Sequence, residues 1–163
     1  EDIPAALDRL VEIAKVQSTE ASNKIEGIVT TNTRIKQLCE EKTTPRNRDE
    51  EEISGYRDVL NTIHESYEYI PLTANYILQL HGMLYHYSGR GIGGRFKNVQ
   101  NYISETHADG TTFVRFTPLE PYETPDAVAA ICESYNKAID DGIIDPLLLI
   151  PCYTAAVMWL DGM

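Results

Sequence analysis

Apolar residues recur at intervals of three and four along most of this chain, which is the spacing of one face of an α-helix. The clearest run lies between Asp49 and Ile70, where Pro71 ends it. The same pattern, read with capping residues, glycines and prolines, predicts further helices at residues 3–16, 20–28, 32–41, 73–88, 126–141 and 147–160. The last segment is apolar nearly all round, so we expect it in the middle of the core.

One region does not follow the helical pattern. Residues 88–94 contain four glycines, and residues 97–106 and 111–117 then read as two strands. The Asp109-Gly110 pair between them is typical of a hairpin turn. The sequence therefore predicts a mainly α fold, a helical domain with one β-hairpin.

The charge of the chain narrows the class of partner. Its 25 acidic residues outnumber its 14 lysines and arginines, which gives a net charge of -11. Affinity for nucleic acid comes largely from basic residues that displace counterions, and no basic run is present. We therefore expect no nucleic-acid partner, and anionic membranes are disfavoured for the same reason. The longest apolar stretch is interrupted by Pro151 and is too short to span a bilayer.

The cysteines and histidines indicate no metal site. The three cysteines are odd in number and widely spaced, which fits a reducing cytoplasm better than a disulfide framework. None of the four histidines has a second ligand-type residue at the spacing of a metal site. No signal peptide, phosphate-binding loop or nucleophile elbow is recognisable. We expect a cytoplasmic protein whose residues here bind no metal.

The most informative segment is Ser22-Asn23-Lys24-Ile25-Glu26-Gly27. On a helix, Ser22 and Glu26 would stand one above the other on one face, and Gly27 would end or loosen that helix. By residue chemistry alone this is a solvated helix end, because a single acid on a polar helix is normally hydrated. The segment nevertheless resembles the inhibitory motif of Fic-domain proteins, Ser/Thr-x-x-x-Glu-Gly/Asn.

Three further segments resemble the same family in the same order. The sequence DEEEISGYRDVL, which begins at Asp49, is similar to the acidic, tyrosine-containing helix after the inhibitory segment. The sequence GRFKNVQNYI, from Gly94 to Ile103, resembles the strand that leads into the family's flap, with Lys97 in place of the commoner Arg. Residues 145–163 are similar to the apolar helix that precedes the Fic signature, His-Pro-Phe-x-Asp/Glu-Gly-Asn-Gly-Arg-x-x-Arg.

The signature itself would begin just after Met163. The resemblance therefore implies a fragment that ends before the signature. Residues 1–48 would be an N-terminal region with the inhibitory helix, and residues 49–163 would be the N-terminal part of the Fic domain, with a flap hairpin at about 94–117. We expect no catalytic residue in this chain, and residues 1–163 alone should show no magnesium-dependent ATP turnover.

The resemblance also implies a function for the complete protein. It would be an auto-inhibited protein adenylyltransferase, which transfers AMP from ATP to hydroxyl side chains of a target protein and binds ATP and Mg²⁺. Glu26 would pair with the second arginine of the signature, which otherwise grips the γ-phosphate of ATP. Ser22 would anchor the inhibitory helix, and Gly27 would let its end approach closely. Transfer of another group, or removal of AMP, stays open.

The flap would bind the target protein by strand addition, through backbone donors and acceptors. Its residues would be Gly94, Phe96, Lys97, Val99, Tyr102 and Ile103, of which the last three would clamp the target side chain. One alternative is a hairpin that only packs on the helical body. Another is a non-catalytic helical module that binds extended peptides at the hairpin edge. A homo-oligomer is compatible with either function.

Overall fold

The computed structural model describes residues 3–28, 30–40, 42–89 and 91–161. Within them the helices are α1 (Ile3–Ile25), α2 (Asn32–Cys39), α3 (Arg48–Ser66), α4 (Ala74–Leu84), α5 (Thr124–Asp141) and α6 (Pro146–Asp161). The strands β1 (Ile103–Thr106) and β2 (Thr112–Phe116) lie between α4 and α5 in the chain, and 3-10 turns follow α3 and α4. The predicted mainly α class with one hairpin is confirmed.

Helix α1 is longer than predicted, and the separate helix over residues 20–28 does not form. Thr19 Oγ1 donates to the carbonyl oxygen of Lys15 at 2.8 Å, and Asn23 Nδ2 donates to that of Thr19 at 2.8 Å. Both bonds join residues four apart within one continuous helix, so neither side chain caps the start of a new helix. As expected, the helix ends just before Gly27, whose φ is +76°.

Two of the other helix ends follow their local signals, and three differ from the prediction. Asn47 Oδ1 accepts the N–H of Glu50 at the start of α3, and Gly142 ends α5 with a φ of +63°. Helix α5 begins at Thr124, two residues before the predicted start, and the Thr124 hydroxyl donates back to the carbonyl oxygen of Glu120. Helices α3 and α4 end earlier than predicted, since each is followed by a tighter 3-10 turn.

The hairpin forms around the predicted turn, but its first strand is shorter than predicted. The two strands pair antiparallel, and Gly110 in the turn has a φ of +86°. Residues 97–102 are not part of the strand. Pairing cannot extend past β2 because Pro118 has no N–H to donate to a ladder. Gln100 Nε2 instead donates to the carbonyl oxygen of Pro118 at 2.8 Å.

The chain divides into two compact units, each with its own small core. The first unit comprises residues 1–71 and 78–95. Its core is formed by Ile35 and Leu38 from α2 and Ile53 from α3, each at most 5% exposed, with partly buried side chains packed against them. Apolar side chains in the first half of α1 remain exposed. The predicted domain boundary between residues 48 and 49 stays a prediction.

The second unit comprises residues 72–77 and 96–163. Its core centres on Val128 and Cys132 of α5. Partly buried apolar side chains packed against these two include Leu72, Ile77, Phe96, Leu119 and Tyr153. No helix in the described part of the chain is both long and apolar enough to cross a membrane.

Helix α6 does not lie in the middle of a core, and this prediction is wrong. Among the described elements it packs against α5. Leu147, Leu148 and Ile150 are 79%, 63% and 49% exposed. A helix that is apolar all round has no polar face that would indicate its solvent side. Its composition therefore predicted burial on every side. The one neighbouring helix covers only one face of α6.

Candidate regulatory site

Hydroxyl groups fasten the C-terminal half of α1 to α3. Ser22 Oγ lies 2.9 Å from Tyr56 Oη, and Ser18 Oγ lies 3.3 Å from the same atom. The two serines are four residues apart and therefore share one face of α1. One half-buried tyrosine thus contacts two successive turns of α1. This contact fixes which face of α1 is turned toward α3.

Glu26 lies in the turn that ends α1, four residues beyond Ser22. The N–H of Gly27 donates to the carbonyl oxygen of Lys24 at 3.1 Å, and the N–H of Ile28 donates to that of Asn23 at 2.9 Å. These bonds order the turn. The Glu26 side chain is exposed, so a positively charged group can reach its carboxylate.

Gly27 is required at this turn by its backbone conformation. Its φ of +76° lies in the left-handed region, which side chains with a Cβ rarely adopt. No described atom lies within 4 Å of the position that a Cβ would occupy there. The space beside the turn is therefore open, and the close approach of a partner at Gly27 stays a prediction.

An ion pair holds α2 against the start of α3. Arg34 Nε donates to Glu50 Oε1 at 2.9 Å and Arg34 Nη2 donates to Glu50 Oε2 at 2.6 Å, so the pair is bidentate. Both side chains are largely covered, with 13% and 5% exposure. The backbone N–H of Arg46 also donates to Glu50 Oε2. Because 16 residues separate the partners, no local sequence pattern indicated this pair.

This ion pair predicts how stability changes with pH. The hydrogen bond from Arg34 lowers the pKa of Glu50 below its ordinary value of 4.5. The stability that the pair contributes is therefore fully present above that value and is lost as the pH falls through the lowered pKa. We expect the difference in unfolding free energy between wild type and Glu50→Gln to be constant from about pH 7 to about pH 5 and to shrink below about pH 4. Urea unfolding of both proteins at each pH measures this difference in unfolding free energy. A difference that stays constant at acidic pH would contradict the prediction.

A buried cluster around Arg57 joins α2, α3 and the 3-10 turn after α4. Arg57 is 8% exposed; its Nη1 donates to the carbonyl oxygen of Leu38, and its Nε donates to Asp58 Oδ1 at 2.7 Å. Tyr87 Oη donates to Asp58 Oδ2 at 2.8 Å, and this bond raises the pKa of Tyr87. The polar groups of the cluster satisfy one another and connect these three elements.

The predicted flap residues are divided between the two units. Gly94 belongs to the first unit, where its N–H donates to His81 Nδ1 at 3.2 Å and its φ is +75°. In that hydrogen bond His81 Nδ1 is the acceptor. A side chain of α4 thereby holds the first residue of the predicted flap.

The other predicted flap residues belong to the second unit. Phe96 packs against the core of that unit, and Lys97 is half-buried. Val99, Tyr102 and Ile103 are 68%, 59% and 37% exposed. A partner could reach these three side chains, and their contact with a target stays a prediction.

The described residues do not assemble a metal site. No group of three His, Cys, Asp or Glu side chains lies close enough together to hold a metal ion in residues 3–28, 30–40, 42–89 and 91–161. Binding of ATP and Mg²⁺ stays a prediction for the complete protein.

The fold of this chain is similar to that of a solved structure over most of its length. The solved structure is the crystal structure of a Fic domain containing signaling protein from Bacteroides thetaiotaomicron, with a TM-score of 0.73 and 27% identity over 90% of this chain. The chain has the Fic-domain fold. No family model and no curated protein matches it. The chain spans 55% of the length of that Fic protein, and an end just before the signature stays a prediction.

Within this Fic fold, the three predicted inhibitory residues lie together at the end of α1. Ser22 is in the last full turn of the helix, and Glu26 and Gly27 follow directly. Their inhibitory roles stay predictions. No sequence feature assigned a role to Tyr56, which contacts Ser22. The sequence feature that could have indicated this contact is a second serine, Ser18, one helical turn before Ser22 on the same face.

Proposed function

We propose that this chain is the regulatory and target-docking part of an auto-inhibited protein adenylyltransferase, which transfers AMP from ATP to hydroxyl side chains of a target protein. The observation that carries the proposal is the anchored end of α1. Ser22 contacts Tyr56 at 2.9 Å, and the exposed Glu26 follows one helical turn later on an ordered turn. The Fic-domain fold supports the proposal, since the similar solved structure is a Fic domain containing signaling protein.

The proposed inhibitory contact, here called the lock, would be an ion pair between Glu26 and an arginine of the signature. A carboxylate can hold a guanidinium through two parallel hydrogen bonds, which fix its orientation. An arginine held by Glu26 cannot at the same time grip the γ-phosphate of ATP, so the nucleotide would bind unproductively. The strength of this lock depends on how firmly α1 presents the carboxylate. We assign that positioning role to Ser22 and Tyr56.

The hairpin would bind the target protein as an added strand. The described sheet has two strands, so each has an outer edge with no other strand paired to it in the described chain. Backbone pairing at such an edge tolerates many target sequences. Val99, Tyr102 and Ile103 lie exposed beside and at the start of β1, where they would contact the target next to its accepting hydroxyl group.

ATP and Mg²⁺ would bind to the signature of the complete protein, where they supply the AMP group and neutralise phosphate charge. Catalysis of such transfers consists mostly of positioning and electrostatic stabilisation. The residues of this chain would contribute control of nucleotide access through Glu26 and orientation of the target through the hairpin.

The test uses the complete protein with ATP labelled on either the α- or the γ-phosphate. AMP transfer predicts label in target proteins from α-labelled ATP and none from γ-labelled ATP. Label from the γ-phosphate alone would identify phosphate transfer and contradict the proposal. Absence of label from either nucleotide, with the Glu26→Gly variant as well, would also contradict it. Residues 1–163 alone serve as the negative control.

Removal of the Tyr56 hydroxyl should weaken the lock. Phenylalanine keeps the ring but loses the contacts with Ser18 and Ser22, a loss of about 1 kcal/mol. We expect Tyr56→Phe to raise the rate of AMP transfer about fivefold in the labelling assay. Tyr67→Phe is the matched control, because Tyr67 is 65% exposed and lies beyond the end of α3. Equal increases in the two variants would contradict the positioning role of Tyr56.

A non-catalytic module that binds extended peptides is the second candidate. The exposed hairpin edges and the exposed Val99 and Tyr102 favour it. The labelling experiment separates the two functions, because a binding module would retain peptides without transferring label to them.

A further inference from the structure

A cavity of about 430 Å³ opens between α1, α2 and α3 in the first unit. This volume falls in the range of small-molecule sites, roughly 300–1,000 Å³. All three helices contribute to its wall, and Thr19 and the half-buried Cys39 are part of it. Neither Ser22 nor Tyr56 lines it, so it is distinct from the regulatory site described above.

The wall of this cavity is positively charged, although the whole chain carries a net charge of -11. Basic side chains outnumber acidic ones along it; they are Arg9, Lys15, Lys36 and Arg57, against Glu12 and Glu40. Arg57 is already paired with Asp58 and bonded to a backbone carbonyl group, so its charge is compensated, and the excess over Glu12 and Glu40 comes from Arg9, Lys15 and Lys36.

A larger cavity in the second unit has the opposite charge. It measures about 850 Å³ and lies beside α5. Its charged side chains are Glu133, Asp140, Asp141 and Lys137. The positive wall of the smaller cavity is therefore a local property and does not follow from the composition of the chain.

The two lysines of the smaller cavity are held only by weak ion pairs. Lys15, whose side chain is 15% exposed, pairs through Nζ with Glu12, whose side chain is 71% exposed. Lys36 Nζ lies 4.0 Å from Glu40, and Glu40 is closer to Lys42, at 2.7 Å. Exposed ion pairs of this kind contribute little, so an incoming anion can replace them.

The rest of the wall includes an apolar surface. Ile13 and Val16 contribute to it from α1, and Leu60 contributes from α3. Apolar pockets with a few polar groups bind molecules with an apolar body and a polar end that fixes the orientation. We propose that this cavity binds a small organic anion, a carboxylate or phosphate monoester on an apolar body, with its charged end at Lys15 and Lys36. This proposal is independent of the adenylyltransferase activity.

Cys39 can report occupancy because it lines the cavity. Burial raises the pKa of its thiol, so alkylation is slow and a bound molecule would slow it further. Cys152 on α6 is exposed and serves as an internal reference. The experiment follows the labelling of both cysteines with N-ethylmaleimide by peptide mass spectrometry. The probes are octanoate, octyl phosphate, 1-octanol and inorganic phosphate.

We expect octanoate or octyl phosphate to slow the labelling of Cys39 about threefold at a concentration of about twice its Kd, with Cys152 unchanged. Octanol lacks the charge and inorganic phosphate lacks the apolar body, so both should protect less at equal concentration. The more protective of the two anions identifies the preferred headgroup. The proposal is overturned if octanol or inorganic phosphate protects as well as the anions do, or if neither anion protects at about 10 mM.

A pair of charge reversals tests whether the effect comes from the cavity. Lys36 is 68% exposed, so Lys36→Glu should fold normally and weaken anion binding about tenfold. Lys24→Glu makes the same change of charge on α1 outside the cavity and should keep the wild-type affinity. Equal losses in both variants would indicate a general electrostatic effect and overturn the assigned site.

Discussion

Replacement of Glu26 by glycine in the complete protein should raise AMP transfer to target proteins about tenfold or more. Without the carboxylate, the signature arginine can bind the γ-phosphate, so the apparent KM for ATP should fall. A hydrogen-bonded charged pair contributes about 1.5–3 kcal/mol, which corresponds to roughly 10- to 150-fold in the population of the unlocked form. Initial rates of label incorporation from α-labelled ATP, measured over a range of ATP concentrations, provide the test.

Two further variants separate the charge of Glu26 from the flexibility that glycine adds. Glu26→Gln keeps the size of the side chain and removes its charge, so it should also raise the rate. Glu20→Gln makes the same change within α1 and should leave the rate as in wild type. If Glu26→Gly labels no faster than wild type in a protein with an intact signature, the proposed lock is wrong.

Gly55→Ala should strongly destabilise the first unit. Gly55 is buried on α3 beside the end of α4, where an added Cβ would lie 1.9 Å from the carbonyl oxygen of Leu84 and 2.7 Å from its carbonyl carbon. Both atoms belong to the backbone, so the helices would have to separate. Alanine gains about 1 kcal/mol over glycine in helix propensity, whereas overpacking of this kind costs about 3 kcal/mol. The clash therefore outweighs the propensity, and we expect a net loss of about 2 kcal/mol in urea unfolding.

Gly82→Ala is the matched control for this substitution. Gly82 also lies within a helix of the first unit, but a Cβ there meets its nearest atoms, in Gly94, at 3.6 Å. That is an ordinary contact, so this variant should be as stable as wild type or up to about 1 kcal/mol more stable. A Gly55→Ala protein as stable as the Gly82→Ala protein would contradict the close approach of α3 and α4.

The order of the helices and strands could be predicted from the sequence because the patterns that indicate each element involve only residues close together in the chain. Helical periodicity reports contacts between residues three and four apart, and the Asp109-Gly110 turn reports the geometry of a few neighbouring residues. Gly27 and Gly142 mark helix ends because a left-handed backbone favours glycine at one position. Local signals are less decisive where a residue fits both a helix interior and a helix start, as at Thr19, where α1 continues through a predicted break.

The sequence by itself therefore determined the mainly α class, the hairpin, and the placing of Ser22, Glu26 and Gly27 at the end of one helix. Only the tertiary structure decided that Tyr56 contacts Ser22, 34 residues away, and that α6 is covered on one side. The physical reason is that a hydrogen bond between helices, or the burial of one helix face, gains its free energy only after the helices pack together. No spacing within a single helix carries that information.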